Sequence, residues 1–72
     1  MSRQDRHEQA RLYTNSPILQ RVFVRGWLAY ERGLNRDLPP YTSVTSGKRW
    51  RSFANTWASG WDAADSAACE RE

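Results

Sequence analysis

Gly60 stands between Trp57 and Trp61 in the stretch RSFANTWASGWDAADSAA, and Gly26 directly precedes Trp27 in RGWLAYERGL. Both stretches otherwise carry helical patterns, and a glycine in a helix interior costs about 1 kcal/mol relative to alanine. A chain of 72 residues builds only a small core and is marginal in stability. The arrangement therefore predicts a compensating contact, in which the glycines let two helix backbones approach closely while the neighbouring indoles cover the crossing. Each large aromatic side chain can bury about 150–250 Å². Four Trp, three Tyr and two Phe are enough to supply much of such a core.

The first of these helices is predicted over residues 17–34. Ser16 is a good N-cap, and Pro17 suits the first helical position, where a missing N–H does no harm. Leu19, Phe23, Gly26, Trp27, Tyr30 and Leu34 recur at steps of three and four and share one face. Arg21, Arg25, Arg32 and Arg36 fall within an arc of roughly 60° on the opposite side. Asn35 can close the helix in a left-handed conformation. The prolines in NRDLPPYTSVT then stop helical structure and make residues 35–46 a semi-rigid connector.

Thr45 or Ser46 is expected to cap a second helix over 47–68. Its apolar set is Trp50, Phe53, Trp57, Gly60, Trp61, Ala64 and Ala68, with Lys48, Arg51, Asn55, Ser59 and Asp62 on the other side. Residues 2–13 predict a short polar helix with Ser2 and Asp5 at capping-box spacing, one that frays or needs support because it carries little apolar surface. The last four residues, CERE, read as a disordered end. The expectation is a single all-α domain: two amphipathic helices joined by a proline-containing connector, with a short extra N-terminal helix.

The charge is uneven. Residues 1–51 carry ten Arg/Lys against four Asp/Glu, a balance of +6, whereas residues 52–72 balance at −3. Such a basic body suits nucleic acid or an acidic protein partner. All the basic residues except Lys48 are arginine, the better bidentate ligand for phosphate or carboxylate. No apolar run approaches the roughly 20 residues that span a bilayer, and the polar N-terminus lacks a secretory pattern. With Cys69 as the single cysteine, no internal disulfide can form, which fits a reducing cytoplasm.

Candidate catalytic chemistry is sparse. His7 has Glu8 beside it but no metal-ligand spacing, so no metal or cofactor is expected. Cys69 lies far along the chain from His7 and forms no nucleophile–base pair. Asp62 and Asp65 share a helix flank without a pocket to tune them. SGKR lacks the first glycine and the Ser/Thr of a phosphate-binding loop. The chain reads as non-enzymatic.

The order RGW…A…RGL…PY…W..GW..A resembles the ribosome modulation factor family, which includes ciprofloxacin-resistance relatives carried on mobile elements. The matching positions are Arg25, Gly26, Trp27, Gly33, Leu34, Pro40, Tyr41, Trp57, Gly60, Trp61 and Ala64, spread over about residues 21–65. The resemblance implies two helices joined by a connector. It also implies binding to the small ribosomal subunit near the 3′ end of its RNA, with stabilisation of inactive ribosome dimers under stress. Transferred to this chain, it makes Arg21, Arg25, Arg32, Arg36, Lys48, Arg49 and Arg51 phosphate contacts, and Tyr41 a stacking partner for an unpaired base.

Composition alone also allows the arginine stripe to be a solvated helix face. A rival expectation is a small phage- or plasmid-type regulator that inhibits a host protein, favoured by the acidic C-terminal third and the modest net charge of +3. DNA binding ranks third, since the long connector does not suit a helix-turn-helix pairing. With so small a core, a homodimer is a further route to stability.

Overall fold

The computed structural model describes residues 6–70, whose regular structure is helical with no strand among them. Helix α1 spans Arg6–Tyr13, α2 Pro17–Glu31, α3 a single turn at Ser43–Ser46, and α4 Trp50–Glu70, with a 3₁₀ turn at Gly47–Arg49 between the last two. The expected cap at Ser2 and Asp5 lies outside the described residues.

Helix α2 starts as its sequence dictates. The Ser16 hydroxyl accepts from the Leu19 N–H at 3.4 Å, and Pro17 occupies the first turn. The α1–α2 corner is fastened by the Gln20 side-chain amide, which donates to the Thr14 carbonyl at 2.9 Å. The end of α2 differs from expectation. It closes at Glu31 rather than at Leu34, because Gly33 takes a left-handed φ of 77°. Gly33 N–H donates to the Tyr30 carbonyl and Leu34 N–H to the Ala29 carbonyl, at 3.0 and 2.9 Å, the paired bonds of a Schellman cap. Glycine reaches this conformation without the steric penalty asparagine carries, so the chain turns two residues before Asn35. Asn35 instead accepts the Asp37 N–H at 2.8 Å in a local turn.

The second long helix also starts later than residue 47. Gly47 has a φ of 67°, which no first-turn helical residue adopts. It breaks the helical path at the start of the 3₁₀ turn, and regular α-helix begins at Trp50. At the other end, Cys69 and Glu70 are helical rather than part of a disordered tail.

The glycine expectation holds in a reciprocal form. A Cβ on Gly26 would lie 2.8 Å from the carbonyl carbon of Trp57 and nearer still to its oxygen; a Cβ on Gly60 would lie 2.8 Å from the carbonyl carbon of Phe23 and nearer to that oxygen. Each glycine is thus seated on the backbone three residues ahead of the other. The flanking indoles close the joint: Trp27 and Trp57 are each 3% exposed. Phe23, Trp27, Ala64 and Ala67 form one cluster together with Ala10 of α1, and Val22, Ala29 and Trp57 form a second, flanked by Tyr41, Phe53 and Trp61.

The start of α2 lies beside the start of α4, where Leu19 shares a groove with Phe53, and the end of α2 lies beside the middle of α4, where Tyr30 stacks edge-on against Trp61. Helices α2 and α4 therefore run in the same sense. A 15-residue helix is about 22 Å long, and the connector must cover that distance in reverse. It does so against the protein. The Trp61 indole donates to the Leu34 carbonyl at 2.9 Å, and further along Tyr41 packs on Phe53. Leu34, expected on the buried face, is 52% exposed, because the helix has already ended before it.

Candidate nucleic-acid interface

Burial of Phe23, Gly26 and Trp27 on one side of α2 turns Arg21, Arg25 and Arg32 outward, and all three are exposed. Among the described residues none of them has an ion-pair partner. Arg21 and Arg25 stand one turn apart, a like-charge spacing that costs a few tenths of a kcal/mol on a helix. An anion held between them would remove that penalty.

Arg36 is the exception to the expected stripe. Since α2 ends at Glu31, Arg36 follows the Gly33 turn across to α4. Its Nε donates to Asp62 Oδ1 at 2.7 Å and its Nη2 to Oδ2 at 2.9 Å. The side-chain hydrogen bond to Asp62, assisted by that carboxylate's charge, raises the guanidinium pKa above its ordinary value. Arg36 thus staples the connector to α4 and is not an open phosphate ligand.

Lys48 and Arg49 are exposed in the 3₁₀ turn before α4, and Arg49 borders a groove with Ile18 and Leu19. The Arg51 guanidinium lies 5.4 Å from the centre of the Trp50 ring, a cation–π distance. Tyr41 is half-buried, its ring 5.6 Å from that of Phe53 at 61°. That contact engages Tyr41 in internal packing, unlike a free platform for a base. The expected cations therefore divide into the outward row on α2, the group ahead of and at the start of α4, and the internally paired Arg36.

Two grooves flank the α2 row. One, of about 420 Å³, lies between α2 and the connector, with Arg25 and Arg32 beside Leu34, Leu38 and Pro40. The other, of about 370 Å³, lies between α1 and α2, where Arg11 and His7 of α1 meet Arg21 and Arg25. Arg11 is absent from the residues singled out by sequence. No sequence signal marks it, because it is the burial of Ala10 in the folded chain that pins α1 to the core and brings its neighbour alongside α2.

Among the described residues no group of three or more His, Cys, Asp or Glu side chains could hold a metal ion, and the Cys69 thiol is exposed. No described helix is long and apolar enough to cross a membrane. Fold and surface together define a small all-α protein with an outward cationic helix. No family model, curated protein or solved structure matches the chain.

Proposed function

We propose that this chain is a non-enzymatic binding protein, similar to ribosome modulation factor, that lays its α2 face against RNA of the small ribosomal subunit in the cytoplasm. By occluding that RNA or bridging particles, it represses translation or holds ribosomes in a hibernating state. The observation that carries this reading is the row Arg21, Arg25 and Arg32, exposed and without ion-pair partners among the described residues. Guanidinium groups in such a row suit successive phosphates. The order of Gly-Trp and Pro-Tyr pairs supports the same reading through the family resemblance.

Co-sedimentation with ribosomal subunits at physiological salt tests it. The protein is expected to travel with the small subunit and to leave it steeply as salt rises, through counterion release. Protein remaining at the top of the gradient contradicts the proposal.

One observation favours a second reading, inhibition of a host protein. Leu34 and Leu38, 52% and 73% exposed, stand beside Arg25 and Arg32 in the connector groove. Exposed leucines flanked by arginines suit an acidic protein segment with an apolar anchor. Affinity purification from nuclease-treated lysate separates the two, since a protein partner survives digestion and an RNA-held complex does not.

A further inference from the structure

Helix α1 has eight residues and a single buried side chain, Ala10, at 1% exposure. Its burial, with the packing of Tyr13 on Phe23, decides what the helix presents. His7 and Arg11 lie one turn apart along α1, as Arg21 and Arg25 do along α2, and both pairs line the same groove of about 370 Å³. Its apolar surface comes from Ala10, Pro17 and Val24, and among the described residues no carboxylate lines it. The amide nitrogen of Gln20, another lining residue, is engaged by the Thr14 carbonyl.

Three arginines from two helices, lining one groove with no carboxylate among its described residues, form an arrangement that an anion completes. Arginine forks fit phosphate oxygens in bidentate fashion. An apolar wall beside them accommodates the face of a base or sugar. We infer that the α1–α2 groove is a seat for a nucleotide phosphate, with Arg11, Arg21 and Arg25 as its ligands and α1 as its outer wall. The inference deepens the RNA-binding reading and rests on it for the source of the phosphate, while the seat itself can be tested without ribosomes. That source is either a backbone phosphate of single-stranded RNA or the phosphate of a free nucleotide.

The experiment titrates the full chain with a labelled ten-nucleotide single-stranded RNA, followed by fluorescence anisotropy, and separately with ATP, followed by calorimetry. Wild type is compared with Arg11→Ala, Arg11→Lys and Arg32→Ala, a position outside this groove. Far-UV circular dichroism confirms that each variant remains helical. The seat predicts that Arg11→Ala weakens RNA binding about tenfold and flattens the logarithmic salt slope by about 0.7, with partial recovery in Arg11→Lys.

If RNA binds and Arg32→Ala weakens it while Arg11→Ala does not, the seat is overturned and the RNA reading survives. If RNA fails to bind but ATP binds in an Arg11-dependent way, the seat stands with a free nucleotide as its ligand and the ribosomal reading falls. Binding of neither probe overturns the seat.

Discussion

At the residue scale, Gly26 and Gly60 are the positions on which the helix crossing turns. Alanine at either site gains about 1 kcal/mol of helix propensity, but its methyl group would run into a backbone carbonyl of the facing helix. Overpacking against backbone costs about 1–3 kcal/mol and sometimes more. Because the obstacle is backbone rather than a flexible side chain, the upper end of that cost applies, and we expect Gly26→Ala and Gly60→Ala each to lose about 2 kcal/mol net, read from urea denaturation; equal or higher stability would refute the close approach. This joint was legible in the sequence because a glycine amid helical tryptophans has few other uses. The role of Arg36 was not legible, because it depends on which of two turn-forming residues, Gly33 or Asn35, closes α2. The helical stripe containing Arg36 existed only if the helix continued.

The Arg36–Asp62 pair is exposed on both sides, so its removal should matter little. Arg36→Ala is predicted to leave stability almost unchanged, because solvent screens an exposed pair. The pH dependence follows from the direction of the shift. The guanidinium pKa is raised in the folded protein, so its contribution is fully present below the unfolded value and is lost as pH rises through the folded one. Both lie far into alkali. Thermal unfolding of wild type and Arg36→Ala should therefore differ by the same amount at neutral and mildly alkaline pH.

At the scale of elements, α1 is the part whose structure is most conditional. Isolated helices shorter than about 12–15 residues are marginal in water, and α1 has eight. The polar sequence of residues 2–13 leads to the expectation of a helix that frays or needs support. What it did not convey was the remedy, because Ala10 alone gives no apolar periodicity, and its burial is created by Phe23, Trp27, Ala64 and Ala67 arriving from elsewhere in the chain. Contacts from Tyr13, whose hydroxyl accepts from Ser59 at 3.3 Å and whose ring lies 5.1 Å from that of Phe23, add to the docking. Ala10→Asp is predicted to release α1 while α2 and α4 stay folded. Hydrogen exchange should show protection lost over Arg6–Tyr13 and retained at the α2–α4 crossing; unchanged protection in α1 would contradict the docking described.

The same-sense run of α2 and α4 was equally hidden. Proline placement announces a connector, but the direction in which it travels is decided by contacts far apart in sequence. Trp61 with Leu34 and Tyr41 with Phe53 hold it along the return path. Gly47 then delays α4 to Trp50, a shift that capping preferences at Thr45 or Ser46 could not reveal.

Across the whole molecule, a core organised around a few aromatics leaves one flank of α2 free to carry charge. The excess of arginine in the first 51 residues is visible in the sequence, as is its division from an acidic C-terminal third. Which cations remain open to a ligand was visible only in part. Arg21, Arg25 and Arg32 stayed outward, Arg36 paired with the exposed Asp62 carboxylate, and Arg11 joined the surface through the docking of α1.

The central claim is the proposal that Arg21, Arg25 and Arg32, which have no ion-pair partner among the described residues, are held outward by the glycine–indole joint behind them to engage ribosomal RNA. It is tested most directly by the affinity of purified small subunits for wild type and for the double variant Arg25→Ala/Arg32→Ala, at physiological salt. The account predicts at least a tenfold weaker interaction for the double variant with unchanged helix content. Equal affinity of the two proteins, or no affinity in wild type, would contradict it.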